Sequence, residues 1–154
     1  MAAGSCFTTV ASMALTPATA KTILNLITAA NSLTRITAFS VSFDGVTATA
    51  VPALVELCYS TQGGTGTIGT APTITHVRGA TRTVQATAAQ GYTAEPTVLT
   101  PWMRWLVPVF NGLLMVQFPL GREPEQIVTA DALGIRVTAP AAVNVSAFLE
   151  FEEG

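Results

Sequence analysis

An all-β fold, a two-sheet antiparallel sandwich of jelly-roll type with about eight strands, is what the sequence predicts, on three observations. Thr, Val and Ala dominate, and residues branched at Cβ fit a pleated, half-buried surface better than a helix. Turn residues recur at intervals of roughly ten to fifteen positions, which leaves room for short strands only. Apolar residues alternate with polar ones inside the runs, and no strand–helix–strand pattern develops.

Taken in order, residues 1–15 carry no charge and are read as an N-terminal arm that orders on a partner; residues 16–154 are read as one β-sandwich domain. Ile23, Leu24, Leu26 and Ile27 suit a helical stripe as well as a buried strand. The threonines at Thr22 and Thr28, and the turn at Ala30-Asn31-Ser32, favour the strand. From Ile36 to Phe43, Phe39, Val41 and Phe43 share one face and Ala38, Ser40 and Ser42 the other, and Asp44-Gly45 supplies a tight reversal. Ala53 to Ser60 is apolar on both faces apart from Glu56, as in a strand covered on both sides. A Gly/Thr-rich loop from Gln62 to Thr70 follows. Further strands are expected at Arg82 to Ala89, Leu99 to Val107, Leu113 to Phe118, Leu133 to Thr138 and Val143 to Phe151. Asn111-Gly112 reads as a hairpin turn, and Thr138 to Ala142 as the turn joining the last pair, with Pro140 outside any central ladder.

Charged residues are only 10% of the chain against about 25% in an average soluble domain, while 49% are hydrophobic. A chain of 154 residues buries a core without disulfide or metal staples, so the charge deficit points to a covered surface. A membrane is not the expected cover, because the most apolar window, Trp105 to Gly121, is interrupted by Pro108, Asn111, Gly112, Gln117 and Pro119. The first twenty residues end in Ala18-Thr19-Ala20 but lack the basic start and continuous apolar run of a signal peptide. Net charge is −2 and the basic residues are scattered, so nucleic acid is not an expected partner. What remains is a protein–protein interface.

No constellation supports catalysis. Gly64, Gly66 and Gly69 match the dinucleotide fingerprint in form only, since Pro72 follows and no helix or ribose-binding carboxylate comes after it. His76 is the one histidine, too little for a His-based zinc site, and is read as a solvated loop residue. Cys6 and Cys58 are read as free thiols, Cys58 packed in a strand. Glu123 and Glu125 flank Pro124 and read as a surface pair on a loop or edge strand, while Glu150, Glu152 and Glu153 read as a solvated end to the last strand. Asn144-Val145-Ser146 is a glycosylation sequon by pattern, inside a strand. The expectation is therefore no enzyme, no cofactor and no metal.

The aromatic residues carry the interface reading. Trp102 and Trp105 lie three apart and so face opposite sides of a strand; one belongs to the core, and the other, beside Arg104, is the best single interface anchor. Trp102, Arg104 and Trp105 are the interface candidates. A glycan-binding module using Trp102 or Trp105 with Tyr92 is the alternative, since aromatic faces stack on sugar rings.

Several strings distributed from Ala20 to Glu153 resemble a family of small tailed-phage virion proteins of the capsid-decoration kind. They are Ala20–Leu24, Val41–Gly45, Leu54–Leu57, Thr93–Thr97, Pro119–Glu123, Leu133–Val137 and Ala139–Asn144. The resemblance implies a jelly-roll-like sandwich and a virion location after synthesis in a bacterial cytoplasm. It also implies a homotrimer seated on the major capsid protein lattice, where it stabilises the head. It carries over no functional residue.

Overall fold

The computed structural model describes residues 4–61, 71–77, 83–96 and 98–154, and places them in eleven strands without a helix. The strands are β1 (Gly4–Leu15), β2 (Ala20–Ile27), β3 (Thr34–Phe43), β4 (Ala53–Thr61), β5 (Ile74–His76), β6 (Thr87–Ala89), β7 (Val98–Val107), β8 (Leu113–Gln117), β9 (Glu125–Gln126), β10 (Ala132–Thr138) and β11 (Val143–Glu153). One sheet, here sheet A, has the order β5-β1-β11-β3-β8 with β9 also on β3; the other, sheet B, has the order β6-β2-β10-β4-β7. Every named pairing is antiparallel.

The connectivity is that of a jelly roll. Leaving aside the short β5, β6 and β9, the chain pairs its first long strand with its last (β1·β11), β2 with β10, β3 with β8 and β4 with β7. This is one long antiparallel hairpin wrapped round a barrel-like core, closed by the β11·β3 and β10·β4 pairings. Side chains alternate as the pleat requires: Phe39, Val41 and Phe43 of β3 point inward against Val55 and Leu57 of β4, Leu133, Ile135 and Val137 of β10, and Val145, Leu149 and Phe151 of β11.

The expected strands at residues 20–29, 36–43, 53–60, 99–107, 113–118, 133–138 and 143–151 are present to within two residues at each end. Three expectations need correction. The segment read as an arm is mostly β1, hydrogen-bonded along its length to β11 and in its first half to β5. The strand expected from Arg82 is confined, among the described residues, to Thr87–Ala89. The turn at Asn111-Gly112 does not make a hairpin, because β7 and β8 belong to opposite sheets; the turns at Asp44-Gly45 and Thr138–Ala142 likewise carry the chain from one sheet to the other.

The Asn111-Gly112 corner has a clear physical cause. Asn111 takes a left-handed φ of 50°, and a Cβ on Gly112 would fall 1.6 Å from the Pro108 carbonyl oxygen. The Gly112 carbonyl then accepts from the Phe43 amide at 3.0 Å, which anchors the start of β8 on β3 rather than on β7. The Gly/Thr-rich loop at Gln62–Thr70, with Gly64, Gly66 and Gly69, lies outside the described residues.

Candidate functional site: the outer face of sheet A and the β7 flank

The two outer faces of the sandwich differ. Segment 83–96 supplies β6, the edge strand of sheet B beside β2, and after it the chain folds over β2 as a cover. Tyr92 is fully buried, with its hydroxyl accepting from Asn25 Nδ2 at 2.9 Å, Lys21 Nζ donates to the Tyr92 carbonyl, and the Thr22 amide donates to Glu95 at 2.9 Å. Gly134 makes room for that packing, since a Cβ there would meet Asn25 Oδ1 at 2.4 Å. Tyr92 is thus a structural residue and is withdrawn from the glycan-binding alternative.

Beside this cover, Glu56 is 3% exposed and lies directly between Arg104 on β7 and Arg136 on β10 in the cross-strand register. Arg104 Nε reaches Glu56 Oε1 at 2.9 Å, and Arg136 donates to Oε2 through Nη2 at 2.7 Å and Nε at 2.8 Å. Arg104 is therefore already committed within its own sheet.

The sequence-derived interface trio does not form one patch. Trp105 turns inward, its ring 5.4 Å from that of Phe39 in an edge-to-face contact, and belongs to the flank of the core; its candidacy as anchor is corrected on that ground. Trp102 is the more open of the two, 42% exposed, but it does not stand on the opposite face: it packs on Tyr59 and Phe118 at the edge of the same aromatic cluster. It is the extra residue of a β-bulge, with Met103 opposite Leu57 and Pro101 opposite Cys58. Pro101 is tolerated because β7 is an edge strand.

Sheet A presents a different surface. Its outward row Thr9–Phe148–Ser40–Met115 crosses β1, β11, β3 and β8 without a charge. The rows on either side are Phe7–Glu150–Ala38–Gln117 and Ser146–Ser42–Leu113. Phe7 and Phe148 pair at 5.8 Å, Leu113 is 64% exposed and Met115 73%. Glu150 is the one charge in these rows, and Ser5 donates to it at 3.3 Å. Sequence reasoning missed this face. The available signal was the set of outward alternate positions on β1, β3, β8 and β11, which hold Ser, Thr, Ala, Phe, Leu and Met where a solvated sheet would carry Lys and Glu.

No protein-family model, curated protein or solved structure matches the chain.

The remaining titratable groups are structural. Glu153, read as a solvated strand end, is buried; it accepts from Ser32 Oγ at 3.1 Å, from the Gln85 amide at 3.0 Å and from the Ala86 amide at 3.2 Å, which ties the cover segment to β11. His76 stands in β5 with Nδ1 3.3 Å from Cys6 Sγ. A Cys–His pair suggests a nucleophile, yet burial, seconded by the Glu153 charge, pushes the Cys6 thiol up, opposite to the shift an active thiolate needs. Among the described residues no group of three or more His, Cys, Asp or Glu could hold a metal, and no helix is long and apolar enough to cross a membrane.

Both cysteines are free, with Cys58 in β4 as expected. Burial, reinforced by the Glu56 charge and opposed by Arg136 and Arg104, pushes the Cys58 thiol from 9.0 up to about 11. Because the folded value lies above the unfolded one, this contribution to stability is complete below pH 9.0 and lost as the pH rises through about 11. We expect urea midpoints to fall across that window in the wild type and less in Cys58→Ala. Equal slopes in the two proteins would show that another group governs alkaline unfolding.

Proposed function

We propose that this chain is a structural protein of a tailed-phage virion that decorates the capsid, associating with its own copies through the outer face of sheet A and seating on the major capsid protein lattice. The observation that carries the reading is that face: four adjacent strands whose outward rows are small, hydroxylated, aromatic or aliphatic apart from Gln117 and the single charge of Glu150, bounded by exposed Leu113 and Met115 on edge strand β8. Water gives such a surface little solvation, whereas a second copy buries it and covers the β8 edge as well. The jelly-roll topology suits the role because it holds the face rigid. The resemblance to decoration proteins supplies the trimeric state, the virion location and the shell as partner, and no cofactor or chemistry enters.

The test is to mix the purified protein with mature and unexpanded capsids of its parent phage, sediment them and count copies per shell. Saturable binding to mature shells at a three-fold stoichiometry supports decoration; a folded protein that binds neither shell overturns it. The face is tested separately. Phe148→Glu puts a second carboxylate beside Glu150 across the interface, and loss of a central aromatic anchor weakens association by about 30-fold or more, some 2 kcal/mol. We expect a monomer by analytical ultracentrifugation, with an unchanged far-UV spectrum, where the wild type is oligomeric. A Phe148→Glu protein that remains oligomeric would place the interface elsewhere.

A further inference from the structure

A second surface feature lies on the flank of the sandwich and uses none of the residues of the sheet A face. After β8 the chain leaves the sheet at Phe118, turns through Pro119–Arg122 with Gly121 at a left-handed φ of 80°, and returns to pair β9 with the start of β3. The loop is held at both ends and across the turn: the Phe118 amide donates to the Thr37 carbonyl at 2.9 Å, the Arg122 amide to the Pro119 carbonyl at 2.9 Å, and the Ile36 amide to the Pro124 carbonyl at 3.0 Å. Between this loop and the β-bulge of β7 lies a cleft of about 250 Å³, lined by Trp102, Tyr59, Arg35, Arg122, Glu123 and Glu125.

We propose that this cleft binds a neutral saccharide, one or two pyranose rings long, stacked on Trp102. The first ground is the platform. Trp102 is wedged between Phe118, stacked at 6.1 Å and 24°, and Tyr59 at 6.0 Å, yet keeps 42% of its surface open. A large aromatic ring fixed before binding offers apolar area at little entropic cost, and the C–H face of a pyranose is the matching apolar surface.

The second ground is the polar rim. Arg35 Nη2 holds Glu125 Oε2 at 3.0 Å and closes one wall. Arg122 and Glu123 have no ion-pair or side-chain hydrogen-bond partner among the described residues, so they offer donors and an acceptor to a guest. Sugar hydroxyls donate and accept at the same atom, so they answer guanidinium and carboxylate together. Burial and the Glu125 charge hold the Tyr59 phenol above its ordinary range, and it stays a neutral hydrogen-bond donor at physiological pH.

The third ground is charge. The rim's two arginines and two glutamates cancel, so an anionic ligand meets as much repulsion as attraction, and a purely apolar one would desolvate Arg122 and Glu123 without return. The volume falls just below the range of about 300–1,000 Å³ typical of drug-sized ligands, in keeping with a short, shallowly held guest.

The test uses the full-length protein and neutral trisaccharides of glucose, galactose and N-acetylglucosamine, with heparin oligosaccharides as the anionic comparison. Titration is followed by tryptophan fluorescence and by calorimetry. We expect saturable, salt-insensitive binding of at least one neutral sugar in the millimolar range, and about tenfold or greater weakening in Trp102→Ala. The double variant Arg122→Ala/Glu123→Gln alters only loop side chains and is expected to weaken binding likewise while leaving the melting temperature unchanged. Flat titrations with every neutral sugar, preference for heparin, or undiminished binding in both variants would each overturn the assignment. Capsid binding and oligomeric state are expected to be unaffected by the double variant, so this site and the decoration role fail independently.

Discussion

Replacing Glu56 by alanine is expected to lower the unfolding free energy by about 3 kcal/mol. Glu56 is 3% exposed, and its two oxygens divide between Arg104 and Arg136, the residues directly opposite on the neighbouring strands. Removing it leaves the partly buried Arg136 guanidinium with no acceptor and brings it close to Arg104 without a counter-charge. Desolvation cost and like-charge repulsion then act together. Arg104 is mostly exposed, so its own link to Glu56 is screened by water and salt, and Arg104→Ala should cost no more than about 1 kcal/mol. For a chain of this size the Glu56→Ala loss corresponds to a melting temperature lower by about 6–12 °C. Thermal unfolding of the two single variants and the double variant Glu56→Ala/Arg136→Ala checks the account. If the double variant is no more stable than Glu56→Ala, the stranded Arg136 charge is not the source of the loss.

This carboxylate also shows where the sequence speaks and where it falls silent. Glu56 stood out as the one charge in an otherwise apolar strand, but nothing near it in the chain named its partners, which lie 48 and 80 positions away. The alternation in β3, from Phe39 to Phe43, was legible because one face is buried and the other is not, so period two is written directly into residue type. In β1 the inward positions include Thr8, and the register slips between Val10 and Met13, so the apolar period is broken and the segment resembles an unstructured arm. The turn signals at residues 44–45, 111–112 and 138–142 identified reversals correctly. Turn chemistry is local, however, and in a jelly roll the strand that receives the chain lies in the other sheet.

The candidate sites were legible in the same partial way. An offset of three sets Trp102 and Trp105 on opposite faces of an unbroken strand, but the bulge at Trp102 breaks that count: Trp102 packs on Tyr59 and Phe118, and Phe118 packs on Phe39, the ring that Trp105 meets, so the anchor role assigned beside Arg104 was not decided by the strand pattern. The sheet A face is assembled from β1, β11, β3 and β8, drawn from both ends and the middle of the chain, so no window of sequence contains it. Glu153 illustrates the reverse error. Three glutamates in four residues look like a solvated terminus, yet strand alternation turns the last of them inward to the amides of Gln85 and Ala86.

Phe39→Ala is expected to produce the largest loss, about 4 kcal/mol. Phe39 is 1% exposed, near the middle of β3, where its ring meets Trp105 at 5.4 Å and Phe118 at 6.3 Å. Truncation removes the transfer energy of the ring and leaves a cavity that β3 cannot collapse to fill, because it is hydrogen-bonded to β11 on one side and β8 on the other. The consequence should reach the surface. Phe118 packs on Phe39 from one side and stacks under Trp102 on the other, so a loosened Phe118 frees the platform of the cleft. Two signals are therefore expected in Phe39→Ala below its melting temperature: a weaker near-UV tryptophan spectrum, and greater quenching of tryptophan fluorescence by acrylamide. Phe39→Leu keeps most of the volume and should recover more than half of the lost stability without restoring the edge-to-face contact with Trp105. If Phe39→Ala lowers stability by the expected amount but leaves both tryptophan signals unchanged, the aromatic chain from core to cleft does not transmit order, and Trp102 is held by Tyr59 and the bulge of β7 alone.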